Sequence, residues 1–405
     1  MFDPLVQQDA PLRVAIQVPA ITPRATPALH VPLLAPRPPR LSRLGAELED
    51  IEQSGMFSNF GPVNTRFERA LVGQMFGGSG ACVTVANATL GLMLAIKQAT
   101  GWRPRGKYAL MPSFTFTATA QAALWCGLTP LFCDIDRDTW LPDAAAEEAL
   151  LDRYGGDIAV LLPNATFGNC LDLVRYELMA RRSGIPLVVD AAAGLGSRQM
   201  NGAAFGRGSI SPLVFSMHAT KCFATGEGGL IYCDNPDRIA ALRGMAGFGL
   251  DAMRVTIMPG LNAKLSEVSA LLALEKLREI DAVARHRFAL HRLYARLLQG
   301  FTFQRMTGRQ SALQFVSVLL PAALVAHRER ILAALASQGI GAGHYFSPHL
   351  AEHPFLKANC VSGGLPVTQE IAQRMVSLPL SDTLTEAQVR HVCAVFTRAC
   401  RDEDA

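Results

Sequence analysis

The chain of 405 residues is long enough for two domains and a large buried core. Half of its residues are hydrophobic and 18% are charged, which excludes an intrinsically disordered protein. The formal net charge of +4, without any long block of like charges, excludes a nucleic-acid-binding footprint, and no apolar run is as long as a membrane span. Because Met1–Ala10 also lacks the layout of a signal peptide, we expect a cytoplasmic protein that binds neither nucleic acid nor a membrane.

The first predicted element is a proline-rich arm over residues 1–40. This stretch carries nine of the 24 prolines, for example in Pro36–Arg40. Proline lacks the backbone donor that helices and sheets need, so an extended arm is predicted rather than either of these. A helix is predicted next, from Leu44 to about Ser54.

Residues 41–280 alternate between helical patterns and short apolar runs, which predicts a large α/β domain. Strands of this kind are covered by helices on both faces of a mainly parallel sheet. The predicted elements are helices at Thr89–Gln98 and Thr115–Cys126, strands at Leu128–Ile135 and Ile158–Pro163, a helix near Asp172–Arg182, and strands at Ile185–Asp190, Pro212–Ser216 and Gly228–Cys233.

The pattern changes in residues 281–405, where a smaller C-terminal α+β domain is predicted. Long helices rich in alanine, leucine and arginine flank one short strand at Gln314–Leu319. The helices are predicted at Ala284–Leu298, Arg328–Gln338 and Thr385–Arg398. His286 and His291 lie on the first of these helical patterns and are expected at the surface.

Three local features suggest chemistry, and each has a structural alternative. Lys221 follows a predicted strand in a loop of small residues, where a desolvated amine suits a Schiff base, although an ordinary loop lysine fits as well. Asp190 ends a predicted inner strand, where it can hold a pyridinium nitrogen or cap a helix. Val83–Thr89 leads a strand into a helix whose first N–H groups suit a phosphate, or into a plain Asn or Thr cap.

Taken in chain order, the motifs resemble those of a known family. They are Asn59-Phe60-Gly61-Pro62, Asn87-Ala88-Thr89, Pro112–Thr119, Asp190-Ala191-Ala192, Ser216-x-His218-x-x-Lys221, Gly226-Glu227-Gly228-Gly229 and Gly260–Glu267. From about Leu44 to the C-terminus the chain resembles the DegT/DnrJ/StrS family of sugar aminotransferases, which depend on pyridoxal phosphate (PLP). The resemblance implies the fold of type I PLP-dependent transferases, an α/β large domain with a smaller α+β domain, working as a homodimer.

The resemblance also implies a role for each matching residue. Lys221 forms the internal aldimine and then moves the proton between cofactor and substrate, and Asp190 pairs with the pyridine nitrogen. The aromatic ring of Phe116 stacks on the cofactor, with core packing as its alternative. The implied phosphate contacts are Ala88, Thr89, Ser216 and, reaching the site of the partner subunit, Asn262.

Two positions depart from the family pattern. Ala193 stands three residues after Asp190, where the family usually has Gln or His beside the phenolic oxygen of the cofactor. Lys264 replaces the arginine of the Gly-x-Asn-x-Arg pattern, a variant that the family contains. A dehydratase branch of the family has histidine in place of the lysine, so Lys221 disfavours that branch.

The implied activity is transfer of an amino group from glutamate to a nucleotide-linked keto sugar. The acceptor is expected to be a nucleoside-diphosphate 4-keto-6-deoxyhexose, converted to the 4-amino-4,6-dideoxy sugar. A 3-keto sugar nucleotide, a keto-cyclitol and a non-catalytic regulatory homologue are the alternatives. We expect no metal site. Substrate specificity is assigned to the Met56–Pro62 turn and the His344–His349 stretch, and His218 borders the site or bonds its own backbone.

Overall fold

The computed structural model describes residues 30–404, in which helices cover a central sheet. The helices are α1 (Gly45–Ser54), α2 (Pro62–Phe76), α3 (Ala88–Thr100), α4 (Thr117–Trp125), α5 (Ala144–Tyr154), α6 (Leu173–Ser183), α7 (Pro236–Ala246), α8 (Glu267–Leu297), α9 (Arg328–Ser337), α10 (Pro354–Ala358), α11 (Pro366–Arg374) and α12 (Glu386–Asp404). The strands are β1 (Ala81–Val85), β2 (Tyr108–Pro112), β3 (Thr129–Cys133), β4 (Ile158–Leu161), β5 (Val189–Asp190), β6 (Leu213–Ser216), β7 (Gly229–Cys233), β8 (Thr302–Phe303), β9 (Val316–Leu319), β10 (Val361–Ser362) and β11 (Met375–Leu378).

The central sheet has the order β1-β7-β6-β5-β4-β2-β3-β10. Two four-stranded ladders meet where Leu161 bridges Leu187 and Asn164 bridges Asp190, both in parallel. Only β7 runs antiparallel to its neighbours. The mainly parallel α/β sheet expected from the sequence is therefore confirmed. Because parallel strands end at a common edge, the residues after β5 and β6 lie together.

The predicted strand Ile185–Asp190 is shorter in the structure. Its ladder begins at Pro186, whose carbonyl accepts the Leu161 N–H at 2.9 Å, and only Val189–Asp190 form a regular strand. Proline has no N–H to extend the pairing towards Ile185. Helix α6 agrees with the prediction, because Asp172 caps its first turn and Gly184 ends it with a φ of 68°.

Helix α8 crosses the domain boundary predicted at residues 280 and 281. Ser266 caps its start by accepting the Ser269 N–H at 3.1 Å, so the helix begins 17 residues before the predicted Ala284. The first half of α8 packs in the core of the large sheet, whereas Leu290 and Tyr294 lie in a separate apolar cluster with β9, β11, α9 and α12. We propose that the two domains differ in core but share this continuous helix.

Residues 30–40 of the predicted arm are extended and bound to the C-terminal part of the chain. Val31 is buried, donates its N–H to the Gly339 carbonyl at 3.0 Å and accepts that of Gly341 at 2.8 Å. The rest of the predicted arm, residues 1–29, lies outside the described residues. Across residues 30–404, no helix is both long enough and apolar enough to cross a membrane.

Candidate active site

Lys221 lies in the loop between β6 and β7, at the carboxyl edge of the sheet. The loop is held by backbone hydrogen bonds, including Ala219 N–H to the Gly226 carbonyl at 2.7 Å. The Nζ atom of Lys221 donates to Gln314 Oε1 at 3.1 Å. Burial lowers the pKa of the Lys221 amine, and the negative charge of Asp190 partly opposes this shift. A larger neutral fraction makes the amine a better nucleophile than a solvated lysine.

Asp190 is buried at the end of β5, and two donors fix its carboxylate. Oδ2 accepts the Thr119 hydroxyl at 2.5 Å, and Oδ1 accepts the Ala192 N–H at 3.0 Å. The helix-cap alternative is wrong, because the residues after Asp190 form turns and the next α-helix in the chain is α7. The carboxylate is thus fixed by two donors near Lys221, in a setting suited to a cationic ring nitrogen.

The start of α3 meets the end of β6 and forms a place for an anion. Asn87 caps the helix by accepting the Leu90 N–H at 2.9 Å, which leaves the first amides, those of Ala88 and Thr89, without an intrahelical partner. Ser216 pairs in register with Gly229, and a Cβ at Gly229 would lie 2.7 Å from the Ala88 nitrogen. The cap and the phosphate alternatives are therefore compatible, since capping by Asn87 leaves the anion site open.

Phe116 and Asn262 are both exposed. Phe116 immediately precedes α4, one turn before Thr119, and 56% of its surface is exposed, which excludes the core-packing alternative. Asn262 lies in the segment between α7 and α8, where its backbone bridges Gly247. The structure thus brings Thr119 to Asp190 and pairs Ser216 with Gly229 at the start of α3, whereas the side chains of Phe116 and Asn262 are exposed.

The predicted substrate segment contributes to one cavity. His344 and Tyr345 line a cavity of about 450 Å³ together with Phe116 and the threonines on either side of it. His349 is buried instead, where its Nδ1 lies 2.8 Å from Ser113 Oγ. Burial lowers the pKa of His349, and the Glu352 carboxylate opposes this shift. The Met56–Pro62 turn borders a separate cavity of about 510 Å³.

His218 and His291 make contacts within the protein and do not line the cavity. His218 Nδ1 accepts the Thr220 N–H at 3.3 Å and lies 2.9 Å from Thr220 Oγ1, which favours the alternative that this histidine bonds its own backbone. The surface prediction for His291 is wrong, because that side chain packs between Phe288 and Phe303. Burial lowers the pKa of His291 to about 4.

Sequence reasoning missed Thr119 and Gln314, the side chains that bond Asp190 and Lys221. Thr119 follows Thr115 by four residues, which in the predicted helix Thr115–Cys126 would place two hydroxyls on one face and could have indicated this position. Gln314 is 93 residues from Lys221 in the sequence, and no local sequence pattern indicates that contact.

A lysine amine with a lowered pKa, a carboxylate held by two donors and a helix start at one sheet edge are the features expected of a PLP-dependent transferase. The sequence model of the DegT/DnrJ/EryC1/StrS aminotransferase family matches residues 42–397, and the chain belongs to that family. The protein is a PLP-dependent aminotransferase. The resemblance, the enzyme class and the cofactor inferred from the sequence are thereby confirmed.

Three similar proteins illustrate the relationship. A crystal structure of a putative PLP-dependent aminotransferase from Bacillus cereus ATCC 10987 is 36% identical, with a TM-score of 0.85, covering 91% of this chain and 99% of that one. DesI, solved in the presence of its TDP-sugar product, is 30% identical, with a TM-score of 0.81 and coverage of 93% and 95%. The dTDP-4-amino-4,6-dideoxy-D-glucose transaminase of Shigella dysenteriae is 28% identical over 89% of this chain and 96% of its own length.

Proposed function

We propose that this aminotransferase moves an amino group from glutamate to a nucleoside-diphosphate 4-keto-6-deoxyhexose, giving the 4-amino-4,6-dideoxy sugar. Two relatives support the proposal, because one is a dTDP-4-amino-4,6-dideoxy-D-glucose transaminase and the other was crystallised in the presence of its TDP-sugar product. The similarity to each of these relatives extends along most of this chain and is not limited to one motif.

The residues at the sheet edge fit pyridoxal phosphate by their donor set. The anion site at Ala88, Thr89 and Ser216 suits its phosphate, and Asp190 suits its ring nitrogen. When bound, the cofactor supplies an aldehyde that condenses with amines and a ring that accepts electrons. Lys221 then holds or releases a proton at Nζ, and its lowered pKa makes that release easier than from a solvated lysine.

The observation that carries the choice of acceptor is the cavity beside Phe116. Its wall is mostly apolar and includes the side chains of Leu33, Phe116, Tyr345, Phe346, Pro348 and Leu350. A 6-deoxyhexose presents a methyl group where other hexoses present a hydroxyl, and burying an extra hydroxyl without a partner is unfavourable. The cavity volume of about 450 Å³ accommodates a pyranose ring.

We propose a homodimer in which Asn262 completes the partner's phosphate site. The segment before Asn262 exposes five large apolar side chains, which a monomer would leave in water. They are Phe248, Met253, Val255, Ile257 and Leu261, with Met253 81% exposed. Lys264, the replacement for the family's arginine, lies 5.0 Å above the ring of Phe248 and is therefore part of the same surface.

A panel of acceptors tests the proposed reaction. The enzyme is incubated with glutamate and with 3-keto and 4-keto sugar nucleotides, carrying either a methyl or a hydroxymethyl group at C5. We expect amination of the 4-keto-6-deoxy substrates and conversion of glutamate to 2-oxoglutarate. Exclusive amination of a 3-keto sugar would overturn the regiochemistry and leave the family assignment intact.

A pair of variants tests whether the cavity binds the acceptor. Tyr345→Ala removes part of the cavity wall, whereas Phe355→Ala removes an exposed ring that does not line the cavity. We expect Tyr345→Ala to raise KM for the keto sugar about tenfold, a change worth about 1.4 kcal/mol, and to leave the glutamate half-reaction unchanged. Equal KM values in the two variants would place the acceptor elsewhere.

A further inference from the structure

Gln314 is the side chain that contacts Lys221, and the chain around it is firmly held. The Ala312 N–H donates to Ser197 Oγ at 2.9 Å, and the Leu313 carbonyl accepts from Arg287 Nη1 at 3.0 Å. On the other side, Phe315 packs against Tyr345, with ring centroids 5.1 Å apart. Gln314 is therefore presented to Lys221 by a segment anchored before and after it.

The same segment lies against the turn that contains Ala193. A Cβ at Gly168 would be 2.8 Å from the Ala193 carbonyl oxygen and 3.0 Å from that of Ala312. The two backbone segments therefore meet beside Gly168, and Ala312, which makes this contact, is two residues before Gln314. The methyl side chain of Ala193 offers no hydrogen bond, so the amide of Gln314 is the polar group that this junction brings to Lys221.

The amide of Gln314 has capacity beyond its bond to Lys221. Oε1 accepts from Nζ at 3.1 Å, and within residues 30–404 the two hydrogens on Nε2 have no protein acceptor. In pyridoxal phosphate the phenolic oxygen is ortho to the aldehyde carbon that a lysine amine joins. Because Nε2 belongs to the same amide as the Oε1 that contacts Nζ, it is the donor available to that oxygen when the cofactor is linked to Lys221.

We infer that Gln314 is a positioning residue that holds the free Lys221 amine through Oε1 and donates from Nε2 to the phenolic oxygen of the bound cofactor. It supplies the donor that Ala193 lacks. The inference rests on the proposed role of Lys221 as the lysine that carries the cofactor. Donation to the oxygen stabilises its negative charge and so favours loss of the proton from the linked nitrogen.

The test is the pH titration of the visible absorption band of the lysine-linked cofactor, in the holoenzyme and without substrate. Gln314→Glu keeps the shape and the acceptor but has no donor when ionised, and Gln314→Met removes both functions. We expect both variants to raise the midpoint by about 1 pH unit, the size expected for one charge-assisted hydrogen bond. Ala193→Gln in the Gln314→Met background should restore the midpoint, and Ala193→Gln alone should leave it unchanged.

The controls separate this inference from the proposed function. Gln310 is a buried glutamine in the same region, and its side chain donates to the Gly196 carbonyl. The Gln310→Met variant therefore measures the effect of losing a structural amide. A lower unfolding temperature of the Gln314 variants with an unshifted midpoint would overturn the inference, because a structural role predicts that result. An absent visible band in the unsubstituted protein would instead overturn the role of Lys221.

Discussion

Thr119 offers the sharpest perturbation of the carboxylate in the site. Thr119→Val keeps the volume of this fully buried side chain and removes the hydroxyl that donates to Asp190 Oδ2 at 2.5 Å. A hydrogen bond to a charged group contributes about 1.5–3 kcal/mol, and its loss leaves a buried carboxylate oxygen without a donor. We expect the free energy of unfolding of the cofactor-free protein to fall by about that amount.

Thr115→Val is the matched control. Thr115 is also buried, and its hydroxyl lies 3.2 Å from that of Thr119 without touching Asp190. This variant loses a neutral hydrogen bond, worth about 0.5–1.5 kcal/mol, while Thr119 still donates to the carboxylate. Urea titrations of both variants and the parent protein measure the difference. A loss in Thr119→Val no larger than in Thr115→Val would show that Thr119 does not stabilise the Asp190 carboxylate.

Three further predictions concern cofactor binding and pH. Lys221→Ala should abolish the visible band of the lysine-linked cofactor, and a persisting band would assign the linkage to another amine. Asn262→Ala should weaken cofactor retention without lowering the unfolding temperature of the cofactor-free protein, because we propose that its exposed side chain acts in the partner's site. A fully active monomer in sedimentation would contradict that proposal. The pKa of His291 is about 4 in the folded protein and 6.5 in the unfolded chain. As the pH falls from 6.5 to 4, the unfolded chain therefore binds a proton that the folded protein does not, and the free energy of unfolding decreases by about 3 kcal/mol. His291→Phe should lose less stability over that range in urea titrations, and an unchanged slope would disprove this origin.

Local patterns predicted the parts of the fold and the site that depend on neighbouring residues. The strand before Lys221 and the helix after Asn87 follow from apolar runs and capping residues, which act over a few positions. Gln314 could not be found in this way, because its contact with Lys221 depends on how the segment before β9 packs against the turns that follow β4 and β5. His291 was misplaced for the same reason, since the packing of α8 against Phe303 decides which helix face is buried.

Reductive trapping tests directly whether Lys221 carries the cofactor. The holoenzyme is treated with borohydride, digested and analysed by mass spectrometry for the lysine that bears the reduced pyridoxyl phosphate. With only six lysines in the chain, each candidate is resolved separately. We expect the mass of the reduced pyridoxyl phosphate on Lys221 alone. Finding that mass on Lys264, Lys276 or another lysine instead would contradict the assignment of Lys221.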